Sequence, residues 1–368
     1  MTAVSGRLAR WSVPILCVLV IGFVLMWLRS HATPTAEAVR LRNALLFEQV
    51  APAAAFDWVP AEVPADFAVP GNLEEGEFGA ELALLRLDEM TTDEQRMLAI
   101  AAALTRHAGH PRAAMSDLRG TYQSIVDGRG YCSDFTSVFL AMAAEAGLFA
   151  REWAFSFHGF GGSGHAVVEV FDRDLQRWIF LDVFNNFRLR DSGSGQLLGV
   201  RDLRAYLLEG GNQPTFERLG PGRFGFRSES AALEYYRAGA SQWYLWAGNA
   251  ELRYDRNPYV KWVSKRPRAV QQMVALAVGV HPKIWIVDLP QNRGQVAALR
   301  QLRSKLLAAA GGAALAGLAL AYWLVRTVSR RGREREGILG PARDQSGCPA
   351  DFQRAGARTV KTAVAGRE

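Results

Sequence analysis

Cysteine is scarce in this chain: three cysteines occur among 368 residues, and they lie far apart. Regularly spaced cysteines would predict a disulfide framework or a zinc site, and this spacing supports neither. Cys17 lies inside an apolar run and Cys348 in an arginine-rich tail, so Cys132 has no cysteine neighbour. Such a residue is either a buried, inert thiol or a free, reactive one.

Net charge is also small away from the two ends, where basic and acidic residues nearly balance. The net charge is +7, of which the residues from Arg326 onward carry +5 and Arg7, Arg10 and Arg29 add +3, which leaves −1 for residues 31–325. A nucleic-acid-binding domain needs a concentrated basic surface. We therefore expect no nucleic-acid partner. The basic tail, residues 327–368, reads as disordered chain in the cytoplasm.

Two long runs lack charged residues altogether, Ser12–Leu28 and Leu306–Val325. About 20 apolar helical residues cross a bilayer, so the runs predict an N-terminal transmembrane anchor at residues 1–30 and a second transmembrane helix at residues 305–326. A signal peptide, cut near Ala36 or Ala38, is the alternative for the first run.

Orientation follows from the basic residues beside the two runs. Arginines cluster after the second run and precede the first, and basic residues flanking a span favour the cytoplasmic side. Few lysines and many arginines and alanines indicate a GC-rich bacterial source. We therefore expect a bacterial inner-membrane protein with its main domain in the periplasm and its C-terminal tail in the cytoplasm.

The segment between the apolar runs divides by composition. Residues 31–90 are rich in proline and alanine and then acidic, which predicts an extended connector. Residues 91–190 carry the strongest periodicity and are expected to be the core. Residues 191–304 are expected to be an accessory region, whose aromatic residues indicate core packing, sugar stacking or a membrane interface: Tyr235, Tyr236, Trp243, Tyr244, Trp246, Tyr254, Tyr259 and Trp262.

Helical and strand patterns follow each other in the core. The predicted helices begin with a Thr91–Glu94 capping box and continue with Met115–Val126 and Ser133–Glu145, the last ending before Gly147. Alternation then predicts strands, with a turn over residues 172–176: Arg151–Phe157, Ala166–Phe171 and Arg177–Leu181. This order predicts an α+β fold with helices packed on an antiparallel sheet.

Three residues in the core suit nucleophilic catalysis. Cys132 follows two glycines at a predicted helix start, where the helix dipole favours a thiolate. His165 opens one predicted strand and Asp182 closes the next, so pairing of these strands would bring the two side chains together. A thiol, an imidazole base and an acceptor that orients the imidazole form a catalytic triad.

Two stretches of the core resemble the transglutaminase-like superfamily: GRGYCSDFTSVFLAMAAEAGLFAREW and GHAVVEVFDRDLQRWIFLD. The resemblance covers about residues 95–190. It implies a papain-like fold and catalytic roles for Cys132, His165 and Asp182. No cofactor is expected, and no metal either, because His107, His110 and His158 are joined by neither a cysteine cluster nor a His-x-x-x-His pair. Arg151 and Glu169 also match the family pattern, and we interpret them as packing or salt-bridge residues, with Trp178 in the core.

The chain departs from the family pattern after the third catalytic position. The sequence there is LDVFNNF, so Asn185 or Asn186 is a candidate to assist or replace Asp182. No tryptophan lies between Trp58 and Trp153, and the upstream tryptophan of eukaryotic relatives has no match. The Cys132 backbone N–H, together with Gln123 or Tyr131, is the candidate oxyanion hole.

Two functions remain open at this stage. The first is a membrane-anchored cysteine acyl-transfer enzyme of the periplasm, most simply a peptidase or amidase acting on a protein or peptide. The second is a non-catalytic envelope scaffold or glycan-binding component of a polysaccharide or cell-wall machine. An intact triad favours the enzyme.

Overall fold

The computed structural model describes residues 2–32, 35–67, 76–107, 117–162, 164–248, 257–264, 266 and 268–338. Within these residues the chain forms eleven α-helices. In chain order they are α1 (Thr2–Ala32), α2 (Thr35–Leu46), α3 (Gly79–Leu84), α4 (Asp93–Thr105), α5 (Leu118–Val126), α6 (Cys132–Glu145), α7 (Val200–Glu209), α8 (Glu229–Gly239), α9 (Pro258–Trp262), α10 (Arg268–Ala277) and α11 (Arg293–Ile338).

Six of the strands form one mixed sheet in the order β1-β8-β7-β2-β3-β4. Neighbouring strands are antiparallel except for β1 and β8, which are parallel. The two remaining strands, β5 and β6, form a small antiparallel pair. The strands are β1 (Phe47–Ala51), β2 (Phe149–Phe155), β3 (His165–Asp172), β4 (Arg177–Leu181), β5 (Arg188–Arg190), β6 (Thr215–Glu217), β7 (Trp243–Trp246) and β8 (Ile284–Val287).

Helices cover both faces of the large sheet, so its central strands are buried on both sides. On one face α4, α5 and α6 pack against β2, β3 and β4, and α2 and the start of α11 pack against β7 and β8. On the other face α7, α8 and the segment 53–67 cover β2, β3, β4 and β7. This layering confirms a mixed helix-and-sheet fold, although the sheet is not purely antiparallel.

The elements predicted for the core agree with the structure to within a few residues. The capping box is one residue later than predicted, because the Thr92 hydroxyl, rather than that of Thr91, accepts from Gln95 N. The strand predicted at 151–157 runs from Phe149 to Phe155. The strand predicted at 177–181 has the predicted bounds. Of the helix predicted at 115–126, residues 115 and 116 lie outside the described part.

The expected extended connector, residues 31–90, is largely folded. It supplies α2 and the edge strand β1, and its later part packs three aromatic side chains against the sheet. Burial of these large side chains offsets the extended tendency of a proline-rich segment: Phe56, Trp58 and Phe67. The composition indicated a linker, but these apolar contacts fold the segment onto the domain.

The expected boundary at residue 190 does not separate two bodies. Residues 191–304 supply β7 and β8, which lie inside the large sheet, and residues 20–313 form one compact unit. The aromatic residues expected there divide into two groups. Core packing is confirmed for the buried members, Tyr236, Trp243, Tyr244 and Trp246. Tyr259 and Trp262 are exposed, and Tyr254 lies outside the described residues.

A second compact unit contains the described residues 2–19 and 314–338, and within it the rings of Trp11 and Trp323 are 4.9 Å apart. By length and composition, Trp11–His31 and Pro290–Arg331 are candidate membrane-spanning helices. Residues 327–338 of the expected disordered tail continue α11 as helix, and residues 339–368 lie outside the described part.

Candidate active site

Cys132 is the first residue of α6, and a tight turn between α5 and α6 determines its position. Gly128 ends α5 with a φ of 77°, and the N–H of Gly128 and of Arg129 donate back to the last turn of that helix. This left-handed cap reverses the chain within a few residues. The Asp134 carboxylate then accepts from the backbone N–H of Tyr131 at 2.8 Å and fixes the start of α6. The thiol therefore lies at the positive end of the helix dipole.

His165 is the first residue of β3, on the strand next to β2. Gly164, just before it, passes so close to the backbone oxygen of Phe155 that any Cβ would collide with it. The His165 side chain is buried, and its ring lies 5.8–5.9 Å from those of Phe155, Tyr235 and Tyr236. Aromatic walls therefore hold the imidazole in one orientation.

Asp182 follows β4 and lies beside the start of β3, as expected from the antiparallel pairing of the two strands. Its Oδ2 is 2.8 Å from Nε2 of His165. The same Oδ2 accepts from the Tyr236 hydroxyl at 2.6 Å and from Nδ2 of Asn185 at 2.7 Å. Asp182 is fully buried, so these donors compensate for its lost hydration. With Nε2 engaged by Asp182, Nδ1 is the imidazole nitrogen available to Cys132.

Cys132, His165 and Asp182 shift one another's pKa values. Burial opposes ionisation of the thiol, but the charge and hydrogen bond of His165, with the backbone N–H of Ala166, outweigh it and lower the pKa of Cys132. Burial disfavours the imidazolium too, yet Asp182 and the Cys132 thiolate raise the pKa of His165 to about 10. Burial also opposes ionisation of Asp182, but His165, Tyr236 and Asn185 hold its pKa below the ordinary value. These shifts favour the thiolate, the imidazolium and the carboxylate over the neutral forms.

The two asparagines after Asp182 have different places. Asn185 reaches the site: its backbone N–H donates to Oδ1 of Asp182 at 3.0 Å, and its Nδ2 is 3.3 Å from Nε2 of His165. Asn186 does not. Its amide side chain bonds the backbone of Leu219, Gly220 and Gly222, and its φ is 62°. Asn186 therefore anchors the loop of residues 219–222, and Asn185 alone belongs beside the imidazole.

The candidates for the oxyanion hole also differ. The side chain of Gln123 is exposed and donates to Asp127 at 3.3 Å, so its amide is already engaged. Tyr131 precedes Cys132 and is 45% exposed. The Cys132 N–H lies at the start of α6, where a backbone N–H has no helix carbonyl four residues earlier to bond, although the N–H of Asp134 already donates to the Tyr131 carbonyl at 2.9 Å. The Cys132 N–H and Tyr131 stay as candidates.

Tyr236 is the site residue that the sequence did not reveal. It lies on α8, 54 residues after Asp182, and its hydroxyl makes the shortest contact to that carboxylate among those given above. Burial and the adjacent Asp182 charge raise its pKa far above the ordinary value, so it stays a donor. Its only signal in the sequence was its place among many aromatic residues, which does not distinguish a ring in the core from a hydroxyl aimed at a carboxylate.

Access to the site is limited to its thiol end. Cys132 is partly exposed, whereas His165 and Asp182 are buried beneath it. No group of three or more His, Cys, Asp or Glu side chains that could hold a metal occurs among the described residues. An attacking molecule therefore meets the sulfur first and the two supporting side chains lie behind it.

Arg151 and Glu169 form a buried pair that is separate from the triad. Nη2 of Arg151 lies 2.7 Å from Oε2 of Glu169, and the guanidinium lies over the ring of Trp178 at 3.6 Å. Glu169 also accepts from Trp153 Nε1 and from the backbone N–H of Val200. The expected salt-bridge and packing roles of these residues are therefore confirmed.

Comparison with known proteins gives one match. The family model described as the transglutaminase-like superfamily matches residues 86–183, which include Cys132, His165 and Asp182. No curated protein and no solved structure matches the chain significantly. Residues 86–183 therefore match the transglutaminase-like superfamily model, and elements from both sides of the matched segment complete the sheet to which it belongs.

Proposed function

We propose that this chain is a cysteine acyl-transfer enzyme in which Cys132 is the nucleophile, His165 the acid and base, and Asp182 the group that orients His165. One observation carries the proposal: a single buried imidazole lies between a partly exposed thiol at a helix start and a fully buried carboxylate. The lowered pKa of Cys132 and the raised pKa of His165 are those of a reactive ion pair. An inert structural cysteine gains nothing from such surroundings.

The chemistry follows from this arrangement. The Cys132 thiolate attacks an acyl carbonyl carbon, and N–H groups at the start of α6 stabilise the oxyanion. The His165 imidazolium gives its proton to the leaving amine as the C–N bond breaks, which yields a thioester and a neutral imidazole. The imidazole then takes a proton from the incoming acceptor, whose oxygen or nitrogen replaces the sulfur. Collapse of this second intermediate returns the thiolate.

The acceptor determines the kind of enzyme. Water gives a peptidase or amidase, and an amine gives a cross-linking enzyme. We favour the hydrolase, with a protein or peptide substrate, because the thiol is partly exposed and water at high concentration reaches an exposed thioester. A membrane location is supported by the exposed apolar side chains of the two candidate spans, which water would solvate poorly: Leu19, Phe23, Leu318 and Tyr322. The periplasmic placement is likewise part of this proposal and rests on the arginine distribution.

A test needs no knowledge of the substrate. A thiol-directed electrophile at neutral pH should alkylate Cys132 of the folded chain much faster than the same cysteine in denaturant, because only the folded site stabilises the thiolate. The experiment uses a chain with Cys17→Ala and Cys348→Ser, so that only Cys132 reacts. Equal rates in the two states would contradict the proposal and favour the envelope scaffold.

Substrates are then sought by comparison of envelope proteins. Cells with the wild-type chain and cells with Cys132→Ala are compared by mass spectrometry of newly formed peptide termini. Termini that require Cys132 indicate a peptidase, and isopeptide-linked products that require it indicate a cross-linking enzyme. The Cys132→Ala chain should fold normally, since a thiol at the first position of α6 contributes little packing.

A further inference from the structure

An exposed apolar surface lies on the two helices that connect β7 to β8. On α10 the residues Val270, Met273 and Ala277 recur at helical spacing, and all three are exposed. On α9 the rings of Tyr259 and Trp262 are 64% and 83% exposed. Large apolar side chains that recur on one helix face and stay exposed mark a surface that contacts something other than water.

The same connection is strongly basic, since residues 247–283 hold seven basic and two acidic residues, both acidic residues lying before residue 257. Residues 257–287 contain no Asp or Glu, and they hold three of the chain's five lysines and two arginines. Residues 31–325 sum to −1, so the rest of that stretch carries −6, and the positive charge is concentrated in this segment: Lys261, Lys265, Arg266, Arg268 and Lys283. An apolar helix face beside lysine and arginine, with tryptophan and tyrosine at its edge, is the pattern of a segment that lies in the interface of an anionic bilayer.

The position of this connection is consistent with a contact to a bilayer, because it lies at the end of the sheet near the two apolar helices. It leaves β7 at Trp246 and returns to β8 at Ile284, which is paired with Phe47 of β1. At this end of the sheet Arg303 of α11 donates to the backbone oxygen of Phe47. The side chains of Leu306, Trp27 and Leu28, which belong to the two apolar helices, pack in the same group of residues as Trp246. The active site lies at the opposite end, where β3 begins and β4 ends.

We propose that α9 and α10 form a membrane-surface contact, with Trp262, Tyr259 and the Val270–Met273 face in the interface of an anionic bilayer and the exposed Lys261, Arg266 and Lys283 on lipid headgroups. The contact would hold the sheet with its β7–β8 end toward the bilayer and the triad facing away from it. A second copy of the chain, or another protein, is the competing occupant of an apolar face. We favour the bilayer over a protein partner because residues 257–287 carry five basic and no acidic residues, which suits a surface of lipid phosphates.

The test measures the depth of single probes in the full-length chain. An environment-sensitive fluorophore is attached at Trp262→Cys or Met273→Cys, in a chain with Cys17→Ala, Cys132→Ala and Cys348→Ser, reconstituted in vesicles of phosphatidylglycerol and phosphatidylcholine. Arg227→Cys is the matched control, since Arg227 is exposed and follows Phe226, which contacts Tyr235 beside the site. All three substitutions are at exposed positions, so folding should be retained.

Lipid-attached nitroxides should quench the probes at 262 and 273 at least about threefold more than the probe at 227, since an interfacial helix buries its apolar face in the headgroup region. Aqueous iodide should show the reverse order. Lys261→Glu with Arg266→Glu, or a change to pure phosphatidylcholine, should reduce the lipid quenching. Equal quenching at all three positions would overturn the proposal. Protection of positions 262 and 273 from iodide without lipid quenching would also overturn it, because a protein surface would then cover them.

Discussion

Asp182 shows how single residues decide the chemistry of this site. A fully buried carboxylate is costly unless donors surround it, and here His165, Tyr236 and Asn185 all bond its oxygens. The carboxylate in turn keeps the imidazole protonated, and the imidazolium keeps the thiol ionised. The reactivity of Cys132 therefore depends, through His165, on Asp182, Tyr236 and Asn185, which take no part in the bond changes.

Asp182→Asn removes the charge and keeps the size of the side chain. Because Asp182 is the largest influence raising the pKa of His165, that pKa should fall from about 10 toward its ordinary value. The alkaline limb of the acylation rate should then move to lower pH, and the rate at neutral pH should fall by about 10³–10⁴-fold. The measurement is kcat/KM against pH. Asp174→Asn, the same change on an exposed residue of the β3–β4 turn, is the control and should leave the profile as it is.

Tyr236→Phe tests the hydroxyl that the sequence did not reveal. Loss of a hydrogen bond to a buried charged group costs about 1.5–3 kcal/mol, so we expect a rate at least about tenfold lower. Because Tyr236 lowers the pKa of Asp182, its removal should move the acid limb of the rate profile to higher pH.

Tyr244→Phe is the matched control for Tyr236→Phe. Tyr244 is also buried, but its hydroxyl bonds Asn43 on the other side of the sheet. The control should leave both limbs of the profile in place. Identical profiles for the two variants would show that Tyr236 only fills space.

At the scale of elements, the sequence predicts those helices and strand pairs whose contacts join residues close together in the chain. The α6 helix, the β3–β4 hairpin and the meeting of His165 with Asp182 follow from periodicity and from strand ends that adjoin. Strands β7 and β8 could not be placed, because β7 joins the sheet through β2, 88–92 residues away along the chain, and β8 pairs with β1, 236–237 residues away. The position of Tyr236 was hidden for the same reason. The segment 53–67 was predicted to be part of a connector. Its composition does not show that its three aromatic side chains pack against the large sheet.

The Arg151–Glu169 pair tests the packing of β2 on β3. Glu169→Gln leaves the Arg151 guanidinium buried beside Trp178 without a counter-charge, which should cost about 3–5 kcal/mol of unfolding free energy. Denaturant unfolding in detergent measures the loss. Cys132 reactivity in the folded fraction should be unchanged, because this pair does not contact the triad.

Glu89→Gln breaks an exposed pair with Arg86 and is the matched control for Glu169→Gln. Its effect should stay within about 0.5 kcal/mol. Equal effects of the two substitutions would mean that Arg151 finds water or another partner on loss of the carboxylate.

At the scale of the whole molecule, one candidate membrane-spanning helix precedes the sheet in the chain and the other follows it. The arginines after the second run predict that residues 30–304 lie outside the cytoplasm. A reporter that is active only outside the cytoplasm should therefore be active when fused after residue 200 and inactive after residue 340. The reverse pattern would place the triad in the cytoplasm and would contradict the proposed periplasmic function.

The ion pair of Cys132 and His165 is the central claim, and the pH dependence of Cys132 alkylation tests it most directly. In the wild-type site the rate should stay high well below the ordinary thiol pKa of about 8.5, since the imidazolium favours the thiolate. In His165→Ala the midpoint should move up to that value or above it, because burial then acts without a compensating charge. One profile shared by both proteins, with its midpoint near about 8.5, would contradict the account.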